Sequence, residues 1–277
     1  MGQRPGGADA LPSFKAAWGG VDRAADPAAF VRFLDRVADD AAAGPAGADR
    51  LAALLDPRPG QRLLDVGCGL GGATRALARL VGPTGRAVGV DNSATMIAAA
   101  RARDARAATY GVADAHDLPF AAATFDGVCS LSTFEILGEP RRALAELARV
   151  ARPGGRVVVG GPDLGSTMID ADDRALTRRL LDFVCDHETN GWIGRQLPGL
   201  CREVGLVDMA VEASTWIATD HALAWDVWLG RHLARALATG AVAPDEAAAW
   251  REDLARRAAA GRFFLARTAF LVAGRKP

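Results

Sequence analysis

The sequence predicts an α/β fold, a mostly parallel sheet with helices on both faces, and three observations carry that reading. Short apolar runs alternate with helix-patterned segments from about residue 60 to residue 160. One of these runs, Leu63-Leu64-Asp65-Val66, breaks into a turn with glycines at 67, 69, 71 and 72. Later, Arg152-Pro153-Gly154-Gly155-Arg156 ends a helical pattern and opens another apolar run, since Pro cannot continue a helix and Gly permits a reversal. Alternation of this kind marks strand–helix–strand units, whose crossovers cover both faces of a parallel sheet.

The elements follow in order. Residues 1–12, rich in Gly, Pro and Ala, are expected to form a disordered leader. Residues 13–57 are expected to form a helical cover, because Phe30, Phe33, Leu34 and Val37 recur at helix spacing and Gly44-Pro45 interrupts the pattern. Strands are expected at 62–66, 86–90, 108–112, 125–130 and 155–160, with helices between them. Beyond these, 171–190 and 194–204 read as helices, Val207 to Ile217 as a strand, Asp220 to Ala260 as two helices, and Ala266 to Val272 as the last strand. Residues 58–277 then make one sheet domain with helical lid insertions at about 163–193 and 219–262.

Composition narrows the function classes. The chain of 277 residues is 50% hydrophobic and 24% charged with zero net charge, ordinary values for a globular protein with a sizeable core. No basic block is present to neutralise phosphates, which argues against nucleic acid as a partner. The N-terminus lacks the apolar core of a signal peptide, and no apolar run is long enough to span a bilayer. The four cysteines, Cys68, Cys129, Cys185 and Cys201, are scattered without a Cys-x-x-Cys, so reduced thiols and a cytoplasmic location are expected. His187, His221 and His232 show no metal-ligand spacing, and no metal is expected.

The glycine turn carries the chemistry. A glycine-rich link between a buried strand and a helix start lets a ligand approach bare backbone N–H groups. The next strand, Ala87-Val88-Gly89-Val90, ends at Asp91, about 20 residues beyond the glycines, where a carboxylate suits a ribose diol. An adenosine-containing cofactor is the expectation. Gly67-x-Gly69-x-x-Gly72 also fits the dinucleotide fingerprint. Against that reading, Asp65 lies where pyrophosphate would sit and would repel it, but would attract an ammonium group. Asp114, just past the third strand, can accept from an adenine amino group, and Ser130 closes a fourth strand beside the glycine loop.

LLDVGCGLGG, VGVD, DAHDLPF, FDGVCS and RPGGRVVV, in this order, resemble the class I S-adenosylmethionine-dependent methyltransferases, in particular the ubiquinone/menaquinone-biosynthesis-like small-molecule subgroup. The resemblance is strong over residues 50–162 and looser over 194–217 and 265–275. It implies a Rossmann-like, seven-stranded, mostly parallel sheet with an antiparallel last strand. It also implies that S-adenosyl-L-methionine is the cofactor and S-adenosyl-L-homocysteine the product. By motif position, Asp65 and the backbone of Gly67 and Gly69 would hold the methionine part, and Asp91 the ribose. Asn92 and Met96 would lie against the adenine, Asp114 and Ala115 would meet its edge, and Ser130 would lie near the sulfonium. The implied partner is a small-molecule methyl acceptor, with a homodimer allowed.

Many members of the family carry histidines at the positions of Glu135 and Ile136, so this chain departs from the pattern there. Glu135 could replace a histidine base, or could be a first-turn helix carboxylate favoured by the macrodipole. His116, beside the adenine motif, is a second candidate acid or base and otherwise a pocket wall. The six tryptophans read mainly as packing, and 190–195 and 261–264 as candidate pocket segments. Three rival functions remain open at this level: a cofactor-binding enzyme that promotes cyclisation or rearrangement without methyl transfer, a nicotinamide-dependent oxidoreductase, and a non-catalytic binding subunit. Asp65 and the lack of a Tyr-x-x-x-Lys disfavour the second.

Overall fold

A computed structural model of the chain describes residues 18–38, 45–104 and 108–277. The expected leader, the start of the cover and Gly44 lie outside the described residues. The cover comprises a 3-10 turn at Trp18–Arg23 and helices α1 (Pro27–Ala38) and α2 (Pro45–Leu55). The sheet domain follows as β1 (Arg62–Val66), α3 (Gly72–Val81), β2 (Arg86–Asp91), α4 (Ala94–Ala102), β3 (Thr109–Val112), β4 (Phe125–Leu131), α5 (Pro140–Val150) and β5 (Ala151–Pro162). Then come β6 (Met168–Ile169), α6 (Arg174–His187), α7 (Ile193–Glu203), β7 (Val207–Ala218), α8 (His221–Ala224), α9 (Gly230–Ala238), α10 (Pro244–Ala259) and β8 (Leu265–Arg275).

The strands run β3-β2-β1-β4-β5-β8, parallel up to β5, with β8 antiparallel between β5 and β7. An eighth strand, the two-residue β6, continues the line of β5 along the end of β8. The central strands are apolar on both faces because helices cover both. On one face Leu51, Leu55, Leu77 and Val81 of α2 and α3 pack on Leu63, Cys129 and Val158. On the other, Leu144 and Leu147 of α5 and Ile193 and Leu197 of α7 pack on Leu64, Val66, Val128 and Val159. Chain order reverses about β1, whose neighbours β2 and β4 are reached by crossovers in opposite directions. This opens a crevice at the carboxyl ends of the strands.

Two expectations are corrected locally and one is refined. The fifth strand begins at Ala151, and the Arg152–Gly155 turn is an excursion within it, with the register shifting between Phe125 and Gly127 of β4. The segment 220–260 forms the two helices expected, the first running from α8 through a π-helical turn at Trp225–Leu229 into α9, the second being α10. Glu135 is not in the first turn of a helix: it sits in a turn, and α5 starts only at Pro140. The lid helices have their own core, in which Leu180, Phe183, Trp228, Leu233, Trp250 and Leu254 pack together and take in Phe33 of the cover. Arg257 fastens α10 to the stretch after β6 through Asp253, Asp170 and Asp172.

Candidate cofactor site

The glycine turn is drawn down onto β2. The N–H groups of Gly67 and Cys68 both donate to the carbonyl of Val90, at 2.8 and 2.9 Å. Asp91 accepts from the N–H of Gly69 at 3.0 Å and from the N–H of Ser93 at 3.0 Å. Its carboxylate thereby locks the turn to the strand end, and burial raises its pKa. Gly67 has φ +73, and a Cβ there would lie 2.1 Å from Thr133 Oγ1, so only glycine fits.

Above the turn is a cavity of about 610 Å³. Gly67, Gly69, Asp91, Asn92, Met96, Asp114, Ala115 and His116 all line it, so eight of the residues named from sequence converge on one hollow. Met96 also packs on Val21 and Phe30 of the cover. Asp65 and Ser130 do not line the hollow but lie under its floor. The Asp65 carboxylate accepts from Thr74 Oγ1 at 2.6 Å and from Cys129 Sγ, and burial pushes its pKa up to about 6 against those two hydrogen bonds. Ser130 is fully buried and its Oγ has no hydrogen-bond partner. At the rim, Asp114 Oδ1 accepts from the N–H of His116 at 2.9 Å and meets His116 Nδ1 at 2.7 Å. Those contacts hold its pKa low, and they leave His116 Nε2 buried without a protein partner.

Several contributors carry no motif. Trp18, Val21 and Leu34 bring the cover down as a wall of the hollow, and Asp35 and Arg103 form an ion pair at 2.6 Å across its edge. Asp22 reaches from the cover to α4, accepting from Ser93 Oγ at 2.7 Å, the Ala94 N–H at 2.7 Å and the Thr95 N–H at 3.1 Å. Burial opposes the charge on Asp22, but these bonds outweigh it and bring the pKa to about 2. A carboxylate at a helix start is favourable there, but no spacing ties residue 22 to residue 94. Asn190 Nδ2 bonds the carbonyls of Phe134 and Leu137 at 2.8 and 2.5 Å. The 190–195 segment therefore supports the wall from behind.

Glu135 stands apart from the hollow. A Cβ on Gly161 of β5 would lie 3.2 Å from its Oε2, and that oxygen is buried without a hydrogen-bond partner. Burial pushes its pKa up to about 7, with its own N–H and the charge of Arg267 opposing weakly. Among the described residues, no group of three or more His, Cys, Asp or Glu is disposed to hold a metal ion.

A glycine turn drawn onto β2, a carboxylate in the floor and, among the described residues, an unsatisfied imidazole nitrogen in the wall fit an adenosine-bearing sulfonium compound. The family signature described as methyltransferase domain matches residues 64–159. A 37.1 kDa protein of transposon TN4556 from Streptomyces fradiae is 38% identical over 250 residues, covering 87% of this chain and 70% of that protein. The chain belongs to the class I S-adenosylmethionine-dependent methyltransferases. S-adenosylmethionine is its cofactor. The nocamycin O-methyltransferase of Saccharothrix syringae is 39% identical to this methyltransferase over 42% of each chain. The demethylmenaquinone methyltransferase of Symbiobacterium thermophilum is 40% identical over 36% of this chain and 42% of its own. The matched stretch thus spans less than half the length of these two relatives. Phosphoethanolamine N-methyltransferase 2 of Haemonchus contortus, solved with S-adenosyl-L-methionine, shares the fold at TM-score 0.59 and 20% identity, over 94% of this chain and 60% of its own.

Proposed function

We propose that this methyltransferase acts on a small organic acceptor of secondary metabolism, held under the lid formed by residues 163–193 and 219–262. The observation that carries the reading is Asp91, locked to the Gly69 N–H in the floor of a cavity large enough for the cofactor. The nocamycin and demethylmenaquinone enzymes, whose names give small-molecule acceptors, support it. When bound, S-adenosylmethionine supplies a methyl group already activated by the sulfonium. The chain has then to orient the acceptor, exclude water and, for a hydroxyl acceptor, remove a proton.

Asp91 would take the ribose hydroxyls and Asp114 the adenine edge, with Gly67, Gly69, Asn92, Met96 and Ala115 completing the wall. Asp65 and Ser130 would support the methionine end from below the turn. Glu135 is the candidate base, its carboxyl poised near neutrality to accept the acceptor's proton at Oε2. His116, tied to Asp114, would be a wall residue. The four cysteines are free and buried, which accords with a reducing, cytoplasmic setting. Among the described residues, no helix is long and apolar enough to cross a membrane.

Thermal-shift titrations with S-adenosylhomocysteine, S-adenosylmethionine and NAD(H) test the cofactor part. A ligand at about 100 times its dissociation constant adds roughly 2.7 kcal/mol, a shift of several degrees. Stabilisation by the sulfur nucleosides alone is expected, and stabilisation by NAD(H) alone would overturn the reading. Transfer of labelled methyl to a panel of small acceptors tests the rest. Turnover that yields products without label would instead show the cofactor assisting a rearrangement.

A further inference from the structure

Far from the cofactor hollow, the sheet ends at β7. Among the described residues β7 pairs only with β8. From Ala210 to Ala218 that pairing runs without interruption against Ala273 to Leu265, and the one register shift is confined to the stretch between Val207 and Ala210. The phase of the ladder can be read from its other side. Thr268 of β8 turns its backbone toward the β5 side, where its carbonyl accepts from the Asp163 N–H at 2.9 Å and its N–H donates to Ser166 Oγ at 2.9 Å. Hydrogen-bonded and non-hydrogen-bonded pairs alternate in an antiparallel ladder, so Thr215, opposite Thr268, turns its own N–H and C=O away from β8. Val211, Ala213 and Ile217, at steps of two along the strand, do the same. The Ala213 carbonyl accordingly accepts from Arg50 Nη1 of α2 at 2.8 Å, from outside the ladder.

The side chains of the same residues are exposed as well. Ile217 is 57% and Val211 50% exposed, on one face of the strand, with exposed Ala213 and Thr215 between them. Sheets blunt a free edge with lysine, proline, a bulge or a short strand, because open N–H and C=O groups take up another strand. Between residues 210 and 218 this edge carries no lysine, no proline and no bulge, and Glu212 is its one charge. The opposite edge of the sheet, by contrast, is the four-residue β3. Backbone groups without a ladder and β-branched side chains without a cover thus coincide on one long strand, and a further strand would satisfy both.

We propose that β7 is the interface between two copies of this chain, joined edge to edge and antiparallel about a two-fold axis through Ser214. The strand is complementary to itself in that register, which is the argument for a second copy over a foreign strand. Val211 then faces Ile217 of the second copy, and Ala213 faces Thr215 of the second copy. Each outward residue exchanges both backbone hydrogen bonds with another outward residue, and the two most exposed side chains of the strand cover one another. An axis through Ala213 would set Ile217 opposite Met209, and one through Glu212 would bring two acids face to face. With the axis at Ser214 the two Glu212 carboxylates stand four positions apart, roughly 13 Å along the strands, beyond the reach of repulsion at physiological salt. The chain has zero net charge, so the approach of a second copy meets no long-range opposition. A contact that uses the same strand in both copies closes at two.

Sedimentation equilibrium of the full chain tests the pairing. A strand-pair interface lies at the small end of the size range, so the mass should rise from one chain to two between about 1 and about 200 μM. Ile217→Lys puts a cation on the edge, and Thr215→Pro removes an outward N–H but no bond to β8. Each should raise the dissociation constant about tenfold or more. Circular dichroism of both variants should match the parent, and Ile217→Lys, at an exposed position, carries the test if the proline variant does not fold. Ser214→Cys should yield a disulfide-linked dimer on mild oxidation, because a self-opposed, non-hydrogen-bonded pair brings its Cα atoms to about 4.5 Å, within disulfide reach. Ala213→Cys should not, and the four native cysteines are buried and free. A chain that stays monomeric at about 200 μM, a dimer left unchanged by Ile217→Lys, or a cross-link through Ala213→Cys and not through Ser214→Cys would overturn the proposal.

Discussion

From the sheet domain, the cofactor hollow is lined by residues drawn from two stretches of chain, 66–116 and 131–138, delivered through successive strand ends. On the side of the hollow away from the sheet, Phe33, Glu135, Trp216, Trp228, Arg231 and Arg267 come from α1, a turn, β7, the π-helical turn, α9 and β8. In the hollow, Asp91 is held by Gly69 and Ser93 and Asp114 by His116, while among the described residues His116 Nε2 has no partner. On the lid side, the Glu135 Oε2 is without a hydrogen-bond partner among the described residues. A site for an invariant ligand can be rigid and locally encoded.

That contrast can be broken most forcefully at Gly67. Gly67→Ala places a methyl group against Thr133 in a left-handed backbone, and should cost about 3 kcal/mol or more in stability or in cofactor affinity. Denaturant unfolding and calorimetry together would register the loss, and an undisturbed variant would mean that the turn is not held as described.

The pH dependence of stability probes the other side. The pKa of Glu135 is raised from 4.5 to about 7 on folding, so its contribution to stability is full below about 4.5 and is lost as pH rises through 7. Asp65, raised from 3.8 to about 6, acts with the same sign over a lower window. The unliganded protein should therefore lose stability between pH 5 and 8. Glu135→Gln should recover on the order of 2–3 kcal/mol of it at pH 8. Melting curves of the two proteins that stay parallel across that range would refute this account of Glu135.

Asp91→Ala should weaken S-adenosylhomocysteine binding by about 1–3 kcal/mol through loss of charge-assisted hydrogen bonds. An unchanged calorimetric affinity would remove Asp91 from the ribose role. The smallest effect belongs to the lid core, where Trp250 Nε1 donates to Thr177 Oγ1 at 2.9 Å. Trp250→Phe should lower stability by about 1–2 kcal/mol and leave cofactor affinity alone. A lost cofactor affinity there would mean that the lid and the hollow are mechanically continuous.

Much of the sheet and of the cofactor site could be read before any coordinates. The apolar runs that became β1 and β2 are short, largely buried and ended by glycine or an acid, so their period and punctuation are local. Asp91 and Asp114 were legible because parallel strands place their carboxyl ends on one rim. The turn within β5 was visible as residues but not as a strand interruption, since the pairing partner Phe125 lies some 26 positions upstream of Ala151. The run from His221 to Ala238 carries no mark of its π-helical turn, because that bulge is set by how Trp225 to Leu229 pack against the lid core.

By itself the sequence determined the strand–helix alternation, the glycine turn and the acids that follow the second and third strands, and through them the family. Each rests on backbone conformation and on contacts between neighbouring segments. Only the tertiary structure decided that Asp65 lies beneath the cofactor hollow, that Asp22 caps α4 from the cover, and that Glu135 turns toward Gly161. It also decided that Arg267 stands between two indoles without a carboxylate. Those facts depend on desolvation and on which charges meet across the fold, and neither is a property of any stretch of sequence.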